Sequence, residues 1–152
     1  MTTTILTAPP YDPKRNRRKR LIIIAIAVGL LIAAALFYEF RYWPEERVVS
    51  KFFNALEAKD YEKAYSIWMA DPNWKQHPDQ YSRYKFGDFY LDWGPGGEYG
   101  LIHSYHIDAA GTPKHGGTGV VVEVTVNERT KKAFLWVEKS DKSLTFSPFE
   151  LR

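Results

Sequence analysis

The longest uninterrupted apolar stretch runs from Leu21 to Tyr38 and contains no charged residue. At about 1.5 Å of rise per residue, roughly 20 helical residues cross a hydrocarbon core of about 30 Å. Leu21 to Phe40 meets that length. In lipid every backbone N–H must bond within its own segment, so the pattern predicts one transmembrane helix over residues 21–40. Beyond Arg41 the pattern becomes amphipathic. Pro44, Glu45 and Glu46 suit a helix start, since proline fits the first turn and carboxylates complement its positive end. Val48, Val49, Phe52, Phe53 and Leu56 then recur at helical spacing. Asp60 reads as an N-cap for a second helix whose inner face is Tyr61, Ala64, Tyr65 and Trp68. A third helix is expected from Pro78-Asp79, with Tyr81, Tyr84 and either Phe89 or Leu91 inward and Gly87 weakening it.

Trp93 to Gly97 carries the Gly and Pro signals of a turn. From there the period drops to two. Leu101, His103, Tyr105, Ile107 and Ala109 alternate with Ile102, Ser104, His106 and Asp108, and residues 111–119 form a flexible loop. Val120, Val122, Val124 and Val126 face one way; Val121, Glu123, Thr125 and Asn127 face the other. Turns near 127–129 and 140–141 separate two further strands, Ala133 to Glu138 and Leu144 to Ser147. Short links between successive strands imply an antiparallel meander. The expected class is α+β: three helices on one face of a curved antiparallel sheet of about four strands.

Charge adds an orientation. Lys14, Arg15, Arg17, Arg18, Lys19 and Arg20 directly precede the apolar run, and Phe37, Tyr38, Phe40, Tyr42 and Trp43 follow it. A basic flank favours the cytoplasmic side, and aromatic residues such as Tyr38, Tyr42 and Trp43 suit the far interface. The expected organisation is a disordered basic cytoplasmic tail over 1–20, a single-pass signal-anchor over 21–40 and an extracytoplasmic domain over 41–152. In a bacterium this places the span in the inner membrane and the domain in the periplasm or outside the cell. Two other readings stay open: Ala33-Ala34-Ala35 resembles a signal-peptidase site, and Arg17-Arg18 a twin-arginine signal. Ala25 and Gly29 are a small-residue pair placed for a helix–helix seam.

The pI of about 9.0 belongs to the tail. The chain carries +3; residues 1–20 hold +5 and Glu39 removes one, which leaves residues 41–152 at −1. Such a domain offers no electrostatic case for nucleic acid, whereas the tail suits anionic lipid headgroups. Cysteine is absent, which excludes disulfides and thiolate catalysis. Aromatics are abundant outside the span, either as core or as the lining of a cavity.

The segment Val48 to Trp68, VVSKFFNALEAKDYEKAYSIW, resembles the opening helices of the nuclear transport factor 2-like superfamily. Lys59 to Tyr65 matches that superfamily's D/G-D-Y-x-x-A-Y/W stretch, and the element order over about residues 45–150 agrees. The resemblance implies a cone, of the ketosteroid isomerase and scytalone dehydratase kind, whose helices and concave sheet enclose a pocket. Members of the superfamily include enzymes, ligand binders and assembly domains. The inner-membrane assembly component of type IV secretion systems shares the layout of tail, single span and periplasmic domain, without a sequence motif in common with this chain.

In enzymes of that superfamily an Asp or His acts as base and Tyr or Trp positions the substrate. The candidates here are Asp92, beside the Trp93 indole, with His103 and Tyr105 on the apolar face of the first strand. His103 and His106 face opposite sides of a strand, and with His77 and His115 they give no compact ligand set, so no metal is expected. The glycine-rich loops 94–97 and 116–119 lack a phosphate-binding pattern, no serine-nucleophile signature occurs, and no cofactor is expected. The expected function is a non-enzymatic binding or assembly module, taking a protein partner, a second copy or a small apolar ligand. The alternative is a pocket enzyme of isomerase or dehydratase type with Asp92 or His103 as base.

Overall fold

A computed structural model describes residues 13–114 and 116–151; residues 1–12, His115, Arg152 and the side chains of Pro13 and Arg15 lie outside the described set. The chain divides into two units, one ending at Arg41 and the other beginning at Tyr42.

The first unit is helix α1, Pro13–Glu39. It is long and apolar enough to cross a membrane, and its apolar side chains from Leu21 to Phe40 are exposed. Residues 13–20 belong to this helix, which corrects the expectation of a disordered stretch there. Lys and Arg are good helix formers, and a helix nucleated in the apolar run extends at one hydrogen bond per added residue. At the other end the Arg41 guanidinium donates to the Tyr38 carbonyl at 3.1 Å and lies 3.7 Å over the Tyr38 ring. That satisfies one of the carbonyls a helix leaves unpaired at its C-terminus.

The second unit is α+β. Helices α2 (Trp43–Glu57), α3 (Tyr61–Trp68) and α4 (Phe86–Trp93) precede strands β1 (Tyr105–Gly111), β2 (Gly119–Val126), β3 (Lys132–Glu138) and β4 (Leu144–Phe146). The strands form one antiparallel sheet in the order β1-β2-β3-β4. Val49, Phe52, Phe53 and Leu56 of α2 meet Val120, Val122, Val124 and Val126 of β2 in a common core. The Asp60 carboxylate caps α3 by accepting from the Lys63 N–H at 3.1 Å.

Three elements depart from the sequence pattern, each because a distant side chain intervenes. The third helix starts at Phe86, not at Pro78. The Tyr65 hydroxyl donates to the Tyr84 carbonyl at 2.7 Å, and the Lys85 N–H donates to the Asp88 carboxylate at 3.1 Å. Together they hold residues 78–85 in turns and cap α4 one residue before Phe86. Phe89 is then fully buried and Leu91 is 72% exposed, which decides between the two candidates for the inner face.

The first strand starts at Tyr105, not at Leu101. The Asn127 side chain takes the place of a strand partner for the residues before it. Its Oδ1 accepts from the N–H groups of His103 and Ser104 (3.0 and 3.3 Å), and its Nδ2 donates to the carbonyls of Leu101 and Tyr99 (2.8 and 3.2 Å). Ile102 is thereby buried, while Leu101 and His103 are exposed. A bulge at Asp108 then shifts the β1–β2 register.

Val121, expected on the solvent side of β2, is fully buried. Its partner across the ladder is Trp136, and the C-terminal residues cross that outer face, with Phe149 ringed against Trp136 at 6.4 Å. Gly119, expected in a loop, is the first residue of β2 and takes part in this packing. A Cβ on Gly119 would lie 2.4 Å from the Trp136 ring and 2.5 Å from the Val137 carbonyl oxygen, so only glycine fits there.

Candidate functional site

Asp92, His103 and Tyr105 do not share a site. Asp92, exposed near the end of α4, accepts a hydrogen bond from the Tyr84 hydroxyl at 2.7 Å. Tyr105 stacks on Phe53 (5.1 Å, 21°), and its hydroxyl donates to Asn54 Oδ1 at 2.8 Å and to the Ser50 carbonyl at 3.3 Å. That pins β1 to α2. His103 lies before β1 with Nδ1 3.3 Å from the Leu101 carbonyl oxygen, on the exposed side. The expectation that it points inward fails because Asn127 sets the backbone of residues 101–104. No partner is common to the three.

The space between helices and sheet, where the cone's pocket is expected, is filled. Phe52, Phe53, Trp68, Phe89 and Trp93 are at most 3% exposed. Phe52 alone contacts the other four rings at centroid distances from 5.0 to 6.1 Å, mostly edge to face. Edge-to-face pairs satisfy the ring quadrupoles, each at about 0.5–1.5 kcal/mol beyond area burial. The abundance of aromatic residues is thus used largely for packing. The Trp93 Nε1–H is buried among these rings with no acceptor among the described residues. Among the described residues no three His, Cys, Asp or Glu side chains gather as a metal set.

A concave surface does exist, at the rim of this packed interior. An open cleft of about 410 Å³ lies between α3, residues 80–84 and β4. Trp68, Met69, Tyr84 and Phe146 form its apolar wall, and Gln80, Asp141 and Thr145 its polar edge. Trp68, Tyr84 and Phe146 are in mutual contact: 6.0 Å between Trp68 and Tyr84, 5.0 Å between Trp68 and Phe146, and 6.5 Å at 85° between Tyr84 and Phe146. Phe146 is half exposed, yet it also stacks on buried Trp93 at 5.7 Å and 1°. The cleft wall therefore continues the core. Its size and its balance of apolar wall and polar edge match ordinary small-molecule sites.

A smaller cleft of about 370 Å³ adjoins it, lined by Tyr65, Trp74 and Phe86 with Lys85 at its margin. Tyr81 lines both and separates them. The Tyr81 hydroxyl donates to Asp71 at 2.8 Å, and Asp71 also meets His77 Nδ1 at 3.0 Å and the Asn73 N–H at 2.8 Å. These bonds hold the Asp71 carboxyl below the usual carboxylate range, with the His77 bond foremost. Burial, then the Asp71 bond, pushes the Tyr81 phenol up to about 12. Burial and the Asp92 bond push the Tyr84 phenol higher still. Both phenols stay protonated and keep donating at any physiological pH.

Sequence reasoning did not find this cleft. Its walls come from three segments separated by up to about eighty residues, and its one local signal is the pair Tyr81 and Tyr84, which served as part of a helix face in the sequence pattern. Of the interface-belt residues, Tyr38 is exposed on α1 and Trp43 is half exposed with the Arg47 guanidinium 4.9 Å from its ring. Tyr42 instead packs against the core of the second unit, its hydroxyl 3.4 Å from Thr112 Oγ1. No family model matches this sequence, and no curated protein and no solved structure matches it either.

Proposed function

We propose that this chain is a membrane-anchored binding module. In this reading α1 is an uncleaved anchor, the basic tract lies on the cytoplasmic side, and the domain from Tyr42 stands on the far side, in the periplasm if the cell is a bacterium. The domain is a plugged member of the nuclear transport factor 2-like superfamily. It holds a small apolar ligand, or an apolar part of a protein partner, at the aromatic cleft beside β4. The observation that carries the reading is the contrast between the filled interior and the open cleft whose wall that interior supports. Support for the superfamily comes from the order of three helices and a four-strand meander, together with Asp60 acting as the cap of α3. Anchoring keeps the module at one surface, which raises its effective concentration for a partner in the same membrane. The isomerase or dehydratase alternative needs a base converging on an enclosed pocket, and the separate partners of Asp92, His103 and Tyr105 give it no support.

Two experiments test this. An alkaline phosphatase fused after Arg152 is expected to be active, with the fusion in the membrane fraction and its N-terminal tail retained; an inactive fusion refutes the orientation. Saturation-transfer NMR with benzyl alcohol on the full chain in nanodiscs is expected to show binding that Phe146→Asp abolishes. An unchanged signal in that variant moves the site elsewhere.

A further inference from the structure

The aromatic cleft beside β4 differs in charge from its neighbours. Lys85 borders the cleft at Trp74, Lys63 and Lys75 border the groove at residues 60–76, and Lys51 borders the groove between α2 and α3. Among the described residues no Lys, Arg or His lines the cleft at Phe146. The residue that follows Asp141, Lys142, is engaged elsewhere: its Nζ is 2.7 Å from Glu45 Oε1 and 3.0 Å from the Lys139 carbonyl oxygen.

One carboxylate lines this cleft instead, and two more hold the hydroxyls of tyrosines in its wall. Asp141 stands on the edge of the cleft, its Oδ1 accepting from the Ser143 N–H at 2.9 Å and from the Ser143 hydroxyl at 2.7 Å. Those bonds hold its carboxyl low, so it carries its charge at neutral pH. Asp71 and Asp92 accept the hydroxyls of Tyr81 and Tyr84 at 2.8 and 2.7 Å. A phenol that donates to a carboxylate becomes richer in electrons, which makes its ring face more negative. Tyr84 and Phe146 thus offer mutually inclined ring surfaces, backed by the buried ring of Trp68, in a cleft that no Lys, Arg or His lines among the described residues. Ring faces attract a cation through the quadrupole.

We propose that this cleft binds an organic ammonium group, held by the ring faces of Tyr84 and Phe146 above buried Trp68, with Asp141 as the countercharge at its edge. The inference rests on the binding-module reading and names the ligand chemistry of that same cleft. A trimethylammonium group is large, weakly hydrated and apolar on its surface, and so matches both the rings and the carboxylate. The same chemistry occurs in free choline-type solutes and in phosphocholine headgroups of lipids.

The test uses the full chain in nanodiscs of phosphatidylglycerol, followed by tryptophan fluorescence, since Trp68 lies in the cleft wall. Choline and its neutral isostere 3,3-dimethylbutan-1-ol are titrated at constant ionic strength. Choline is expected to bind saturably and about tenfold more tightly than the isostere. Phe146→Leu keeps apolar surface without a ring and is expected to weaken choline about tenfold. Asp141→Asn keeps the cap on Ser143 and is expected to weaken choline severalfold while leaving the isostere unchanged. Both positions are exposed, so folded variants are expected, and near-ultraviolet dichroism checks that they are. Weaker apparent choline affinity in phosphatidylcholine discs supports the proposal with the lipid headgroup as the source; unchanged affinity supports it with a free solute as the source. Equal affinity for choline and isostere, with both reduced by Phe146→Leu, overturns the ammonium inference and leaves the apolar binding module standing. No saturable response to either compound overturns both.

Discussion

The ion pair between Glu45 and Lys142 gives a prediction whose sign and size follow from unequal burial. Glu45 Oε1 and Lys142 Nζ are 2.7 Å apart, joining residues 97 positions apart in sequence. The Glu45 side chain is 6% exposed, whereas that of Lys142 is 37% exposed. Glu45 also sits in the first turn of α2, where the helix dipole favours a negative charge. Removing the two partners is therefore not equivalent. Lys142→Met leaves an uncompensated carboxylate in the interior, a situation that costs about 3–5 kcal/mol when the site is fully dry. Lys142's own partial exposure admits some water, so a loss at or just below the bottom of that range, about 2–3 kcal/mol, is expected. Glu45→Gln leaves Lys142 with an amide oxygen to donate to and with solvent beside it, at about 1 kcal/mol. The double variant is expected to recover most of the Lys142→Met loss, because no buried charge remains. All five tryptophans lie beyond residue 42, so thermal unfolding followed by their fluorescence in the full chain reports on the second unit alone. At about 4 °C per kcal/mol for a domain of this size, Lys142→Met should lower Tm by roughly 8–12 °C and Glu45→Gln by roughly 4 °C. Equal losses from the two single variants would refute the argument from burial, as would a double variant that is simply their sum.

Other consequences are checked as directly. Gly119→Ala drives a methyl into the Trp136 ring and the Val137 carbonyl and is expected to cost at least about 2 kcal/mol by urea unfolding, whereas Gly96→Ala, with nothing near its Cβ, should cost little. Asn127→Ala removes the bonds that organise residues 99–104, at about 2–3 kcal/mol, and amide exchange at His103 and Ser104 should accelerate. Tyr81 has its folded-state pKa raised from 10.0 to about 12, so the protonated phenol stabilises the fold fully below pH 10, and that contribution is lost as pH rises through about 12. Absorbance titration at 295 nm should show a tyrosine phase near pH 12 that Tyr81→Phe removes. For Asp71 the sign reverses: its folded-state pKa is depressed, so its contribution is present above the ordinary carboxylate range near 4 and is lost as pH falls through the lower folded value. Residues 71–81 should loosen in acid, measurable as faster proteolysis of that segment, and Asp71→Asn should loosen them at neutral pH as well.

What could be read along the sequence was whatever one element decides for itself. The long apolar helix follows from an uninterrupted apolar run, the β2 face from four valines two apart, and the start of α3 from a carboxylate at its cap. The features that needed the folded chain were those in which a side chain replaces a backbone partner. Asn127 supplies the hydrogen bonds that a strand neighbour would give Leu101 to Ser104, so His103 faces outward although alternation places it inward. The Tyr65 hydroxyl takes the Tyr84 carbonyl and so delays α4 by eight residues. Val121 reads as a solvent-side residue until Trp136 covers it. The cleft escaped for the same reason: Trp68 was legible as a core residue and is one, but its ring also contacts Phe146, from a strand of three residues near the end of the chain.

That double use would couple stability to the proposed binding at the cleft. Phe146 stacks in near-parallel fashion on Trp93, whose indole N–H is already buried without an acceptor, and on its other side contributes to the cleft wall. A ligand that covers Phe146 restrains a ring on which a core tryptophan rests, so occupancy should raise the unfolding temperature as well as fill a site. The converse also follows. A substitution that improves packing beneath Phe146, by settling Trp93, should tighten ligand binding without touching the ligand, because less freedom remains to be lost when the cleft is occupied. In a domain without disulfides, whose interior is built from stacked rings, the site cannot be tuned independently of the core. Cleft variants are therefore interpretable only when affinity and stability are measured on the same protein.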